Sequence, residues 1–199
     1  MDKENFVTVI LIVFILFFCY KIYLESETFN LKCIISNVNN KEYCIRERKN
    51  SKDAVDLLAK ISDNCDKLLN YLKENDSDNK AVMRLIKNYK NVKISETLPT
   101  SKLVAYSENK GEKIAFCLNK DKNNNNELID QQTLMFVALH ELAHVMTVSV
   151  GHTTEFWTNF KFLIKKSKKI GIYSPVDYEK KNVEYCGMTI KDNPYYNDY

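Results

Sequence analysis

Residues Thr133 to Met146 read TLMFVALHELAHVM, and no other stretch restricts the fold of this chain so tightly. The run from Thr133 to Leu139 is apolar on every side. A helix built from it has no face to give to water, so it must be buried all round. Two histidines and a glutamate follow on the same helix, His140, Glu141 and His144, in the order H-E-x-x-H. An ionised glutamate in an apolar setting needs a partner, and without one it costs several kcal/mol. No Lys or Arg lies between Lys122 and Lys161 to provide one locally. A metal ion and its water would supply that compensation.

The spacing suits a metal. His140 and His144 stand at i and i+4, so both imidazoles project from one helix face. Two rings so placed can meet one Zn²⁺ at about 2.0–2.1 Å. Glu141 lies roughly 100° around the helix from His140, which is awkward for a ligand and suitable for a general base acting on a metal-activated water. A catalytic zinc keeps three protein ligands and an open position. The metzincin spacing cannot supply the third, because Thr147 and Val150 stand where its glycine and last histidine belong. His152, just past Gly151, is the first candidate: all three histidines of the chain fall between 140 and 152. Glu155 is its rival, with Cys186 and the tyrosines near the C-terminus as further alternatives.

The segment HELAH followed by GHTTEFW resembles the zinc peptidases of the WLM and SprT-like group, particularly versions encoded by large DNA viruses. TLMFVALHELAH, GHTTEFW and SPVDYEKKNVEYCGMTI occur together here, and the resemblance spans about Ile114 to Pro194. It implies His140, His144 and His152 as zinc ligands and Glu141 as general base. It also implies an α+β, zincin-like (minigluzincin-like) metallopeptidase domain, with a small sheet beside an active-site H-E-x-x-H helix. In such a fold an edge strand binds an extended protein or peptide substrate, and Lys113 to Leu118 is the expected edge strand. An oxyanion formed during hydrolysis needs a donor. Tyr173, Tyr178 and Tyr185 are candidates on chemistry alone.

The N-terminus makes a separate demand. Phe6 to Tyr20, FVTVILIVFILFFCY, carries no charge, and Ile22 to Leu24 continue it past Lys21. As a helix, residues 6–24 reach about 28 Å, close to the hydrocarbon thickness of a bilayer. Lys21 can snorkel, Tyr20 and Tyr23 suit an interface, and no small-x-small cleavage site follows. The expectation is a single-pass transmembrane anchor over 6–24, after a short tail at 1–5, in a virion or host membrane. Lys3 precedes the uncharged run that ends at Tyr20, and Lys21, Lys32 and Lys41 follow it. That count leans toward a cytoplasmic C-terminal domain. Outside the span the chain has five cysteines, an odd number without a C-x-x-C pair, and free buried thiols would fit a reducing compartment. Asn75-Asp76-Ser77 is a glycosylation sequon of a kind frequent by chance in an Asn-rich chain.

Residues 25–50 read as a stalk or short hairpin, and 51–199 as the metallopeptidase domain. Ser51 looks like the N-cap of a helix over Lys52 to Lys73, and Ala81 to Tyr89 repeats the helical spacing. Leu103 to Ser107 and Lys113 to Leu118 are strand-like, joined by a hairpin signal at Asn109-Lys110-Gly111. Asp121 to Asn126 is a polar loop. Asp130 caps the central helix, expected over Gln131 to Val150 with a left-handed stop at Gly151. A capping Thr153 or Thr154 opens a further helix that turns Phe156, Phe160, Leu163 and Ile164 inward and a run of lysines outward. Ile172 to Tyr199 reads as mostly irregular.

The net charge of +3 is too small to argue for nucleic acid. No specific nucleic-acid binding is therefore expected, and the lysine face reads as solvated. The expected activity is membrane-anchored, zinc-dependent endopeptidase hydrolysis by a zinc-activated water with Glu141 as base. The alternative is a non-catalytic, zinc-stabilised structural or binding protein of a viral membrane. Glu141 favours the enzyme, since a structural zinc needs no base and closes its fourth position with Cys or His.

Overall fold

The computed structural model describes residues 3–26, 30–121 and 127–197, with residues 3 and 4 by backbone alone. Most of the expected 121–126 loop, and residues 1 and 2 of the N-terminal tail, lie outside the described residues. Helix α1 (Lys3–Glu25) is the one described helix long and apolar enough to cross a membrane. Its most apolar window has a mean hydropathy of 2.5, and none of it is buried against the rest of the chain.

The remainder combines helices with a mixed five-stranded sheet. Its strands are β1 (Lys32–Ile35), β2 (Glu42–Ile45), β3 (Lys93–Glu96), β4 (Ala105–Glu108) and β5 (Lys113–Phe116), in the order β1-β2-β3-β5-β4. β2, β3 and β5 run parallel, and the two edges, β1 and β4, run against their neighbours. Residues 25–50 thus hold a hairpin that is built into the sheet, so the folded unit takes in residues ahead of 51. The cause is burial: Tyr43 and Ile45 lie in the core. Cys33 and Cys44, opposite each other in the register, are disulfide-bonded.

Lys113 to Phe116 is not the edge strand expected from sequence. All four of its residues are buried, and β3 pairs along its other side. The strand that displaces it, Lys93-Ile94-Ser95-Glu96, is too short and polar to announce itself. The edge is β4. The turn between β4 and β5 matches its signal, with Asn109, Lys110 and Gly111 all at positive φ. At Gly111 a Cβ would stand 2.7 Å from the Asn88 carbonyl oxygen, so only glycine fits.

Helix α2 (Ser51–Asn75) buries Leu58, Ile61, Cys65, Leu68 and Leu72 at helical spacing. Its N-cap is Asn50, without a side-chain cap bond; Ser51 lies inside the helix and its hydroxyl donates to the Arg48 carbonyl. Helix α3 (Lys80–Tyr89) is capped by the Asn79 side chain. Arg46 and Arg48, just past β2, meet Glu96, the last residue of β3, in a buried ion cluster. Helix α4 (Gln131–Met146) is buried on nearly all sides, and helix α5 (Thr154–Lys169), capped by Thr153, packs against it.

The Asp130 carboxylate accepts from the Thr133 N–H at 2.9 Å and from its hydroxyl at 2.6 Å. Asp130→Ala should therefore cost about 1 kcal/mol, measured as a shift in the urea midpoint at constant slope. α4 stops at Met146, short of the expected Val150. The Thr147 hydroxyl turns back onto the Ala143 carbonyl at 2.7 Å, and Lys110 Nζ donates to the carbonyls of His144, Thr147 and Ser149. These contacts satisfy the helix's last carbonyls and place a cation at its negative end. Gly151 is left-handed as expected, but within the connection to α5.

The C-terminal stretch is less irregular than expected. β6 (Val183–Tyr185) and β7 (Met188–Ile190) form a hairpin through Cys186 and Gly187, both at positive φ. Cys186 is disulfide-bonded to Cys117. The sequence left the pairing of these cysteines and of Cys33 and Cys44 open; in the structure Cys19 and Cys65 are the free ones. The pairs arise from chain segments that meet only after folding.

Candidate metal centre

α4 presents His140 and His144 on one face, and the turn through Gly151 returns His152 to them. His140 Nε2 lies 3.2 Å from His144 Nε2 and 3.1 Å from His152 Nε2. All three candidate ligand atoms fall within 4.8 Å of one another. Three nitrogens around a tetrahedral zinc, each at about 2.0–2.1 Å, stand roughly 3.3 Å apart, so the donor set fits the ion. Hydrogen bonding alone explains the cluster poorly. His140 Nε2 offers either one proton or one lone pair, and it faces two neighbours at once. Two of the imidazoles, His140 and His144, are also held neutral. Burial, then the neighbouring His144 and His152, lowers the His140 pKa to about 3. Burial, then His152 and Lys110, lowers that of His144 to about 4.

Phe156, fully buried in the first turn of α5, floors the group. Its ring centroid lies 4.9, 4.4 and 4.7 Å from those of His140, His144 and His152. Glu141 is 4% exposed on α4, which packs against β4, and the Ser107 side chain of β4 acts on its carboxylate. Burial pushes its pKa up to about 8, with Ser107 pulling the other way. A cation at the histidines would oppose that rise.

Residues 40–196, most of the chain and all of this site, match the WLM domain family. The chain is a member of the WLM family. Its relatives include proteins of large DNA viruses. The uncharacterised protein R325 of Acanthamoeba polyphaga mimivirus is 33% identical over 193 residues, covering 95% of both chains. The uncharacterised protein 136R of Invertebrate iridescent virus 6 is 36% identical over 73 residues, 37% of this chain and 40% of its own. Among solved structures, that of Wss1 from Saccharomyces cerevisiae is 22% identical, with a TM-score of 0.49. It covers 63% of this chain and 86% of its own.

Within this WLM domain, Glu155 is occupied elsewhere. Its carboxylate accepts from the N–H groups of Val148 and Ser149 at 3.1 and 3.3 Å and from the Ser149 hydroxyl at 3.1 Å, and it pairs with Arg84 at 3.6 Å. The Val148 N–H is the main cause holding its pKa below the ordinary range. Glu155 closes the α4–α5 turn and so helps to deliver His152. Cys186, the other alternative, is committed to its disulfide.

The three tyrosines are not gathered at the histidines. Tyr173 and Tyr178 are fully buried against Phe136. Tyr185 is buried too, and its hydroxyl donates to the Val104 carbonyl at 3.2 Å. Sequence reasoning missed Ser107, Lys110 and the role of Phe156. The aromatic opening of GHTTEFW is a signal for Phe156. Lys110 stood in plain view only as a turn residue, and nothing marks Ser107 before β4 is placed over α4.

Proposed function

We propose that this chain is a membrane-anchored, zinc-dependent endopeptidase of zincin-like fold. The family is one of zinc metallopeptidases. The observation that carries the reading is the convergence of three imidazoles beside a buried glutamate. Among the described residues, no fourth His, Cys, Asp or Glu joins the group. A structural zinc would close that position, so this favours the enzyme over a non-catalytic zinc protein.

His140, His144 and His152 would hold Zn²⁺. The ion, when bound, supplies Lewis-acid polarisation of the scissile carbonyl and acidifies water. Glu141 takes the water's proton and returns it to the leaving amine. β4 has one neighbour in the sheet, β5, so its other side can hydrogen-bond an extended peptide and lay it past Glu141. Ser107 steadies the Glu141 carboxylate between these steps. Phe156 keeps the imidazole floor dry and fixes the rings from below.

α1 supports a membrane anchor by its length and composition. The two disulfides support an oxidising compartment for the folded domain and run against the cytoplasmic lean of the lysine count.

Zinc titration of the full chain tests the ligand set. His152→Ala should lower zinc affinity by at least about tenfold, since even supporting residues around a metal contribute about 10–100-fold. Glu155→Gln should act through the turn and weaken zinc less. The reverse order would hand the third position to Glu155.

A further inference from the structure

Resting on the endopeptidase reading, we infer that the substrates are polypeptide segments emerging from the same membrane, cut within a few residues of the bilayer. The structure ties the end of α1 to the end of the sheet where the substrate edge begins. Two attachments do this. Asn30 Nδ2 donates to the carbonyls of Tyr23, Leu24 and Ser26 at 3.0, 3.4 and 2.7 Å, satisfying the helix's last turn. Asn30 stands two residues before β1, which the Cys33–Cys44 bond fastens to β2. The second attachment is Thr100, whose hydroxyl donates to the Leu24 carbonyl at 2.9 Å.

The loop that carries Thr100 is itself held. Arg46, 3% exposed, donates to Thr97 O at 2.8 Å, Thr97 Oγ1 at 2.9 Å and Leu98 O at 3.0 Å. The carbonyl of Val104 is fixed by the Cys117 N–H at 2.7 Å and by the Tyr185 hydroxyl. β2, β3 and β5 all end on this side, and antiparallel β4 begins there. The membrane end of the domain is therefore the starting end of the edge strand.

The reach is short. Ser107, beside Glu141, comes seven residues after Thr100. At about 3.3 Å per residue the two are at most about 23 Å apart. A peptide lying along β4 with one end toward Thr100 arrives at the bilayer within about seven residues of the cut. Leu103, 57% exposed, is an apolar side chain on that path, between the anchor and the strand. A chain rooted in the same bilayer presents such a segment at high effective concentration, while a distant or soluble segment does not.

The test uses the full chain in proteoliposomes. The reporters are single-span peptides with one unstructured, mixed-composition segment. In one the segment abuts the span; in the other a folded spacer about 30 Å across displaces it. The same segment is also supplied as a soluble peptide. The abutting segment should be cut at least about tenfold faster than the displaced one. Inserting about 20 flexible residues after Ser26, adding a mean reach of roughly 25 Å, should shrink that ratio. Equal rates on both reporters, or a ratio that ignores the insertion, overturn the membrane-proximal assignment while cleavage of the soluble peptide keeps the endopeptidase reading. No cleavage of any reporter or of the soluble peptide overturns both.

Discussion

Glu141→Gln should leave zinc on the protein and lower peptide hydrolysis by about 10²–10⁴-fold, the usual contribution of a positioned general acid–base. The side chain is 4% exposed, and its amide counterpart is nearly the same size, so packing beneath β4 should survive. The Ser107 hydroxyl can still donate to the amide oxygen. What is lost is the capacity to accept a proton and give it back. The variant should lose kcat and kcat/KM together, as expected when an interaction made only in the transition state is removed. Zinc content by metal analysis, read beside kcat/KM on a peptide library, separates this from a folding defect. Equal activity in the two proteins would remove Glu141 from the chemistry.

Replacing Cys117 and Cys186 by serine should cost about 4 kcal/mol, on the chain-entropy account of a closed loop of this length. Their sequence separation is 69 residues, against 11 for Cys33 and Cys44, where the same account gives about 3 kcal/mol. For a domain of this size the longer loop's loss corresponds to a fall in Tm of roughly 10–15 °C. Thermal unfolding of the double variant beside the parent, with and without reductant, measures it. The parent in reductant should match the variant in reductant, since reductant also opens the Cys33–Cys44 bond. Identical melting of all samples would mean that the β6–β7 hairpin is held by its other contacts, such as the Cys186 and Gly187 N–H groups on the carbonyls of Asn119 and Lys120.

The candidate site was legible where its residues are close in sequence, and the fold where its pattern is local. His140, Glu141 and His144 share one helix turn and a half, and a buried helix with an uncompensated glutamate is a statement about chemistry in itself. α2, α3, α4 and α5 each carry a helical repeat that the structure fills. β3 was missed because four residues, three of them polar, carry no period. That omission alone put β5 at the edge in place of β4. The end of α4 was overestimated for a related reason. Lys110, Thr147 and Glu155 terminate it, and two of these act across space from other elements. Ser107 shows the same limit: its meaning comes from β4 lying over α4.

The Cys117–Cys186 bond has one more consequence, which concerns survival after damage. The loop it closes contains His140, Glu141, His144 and His152. It also contains Val150, 87% exposed at the outermost point of the α4–α5 connection. A backbone cut at that connection separates His144 from His152 in sequence but leaves both halves covalently joined. The nicked protein stays one molecule, its severed ends kept close by the staple behind them. On the proposed reading, a protease among other proteases, or among copies of itself, would keep its three histidines assembled through the first cut.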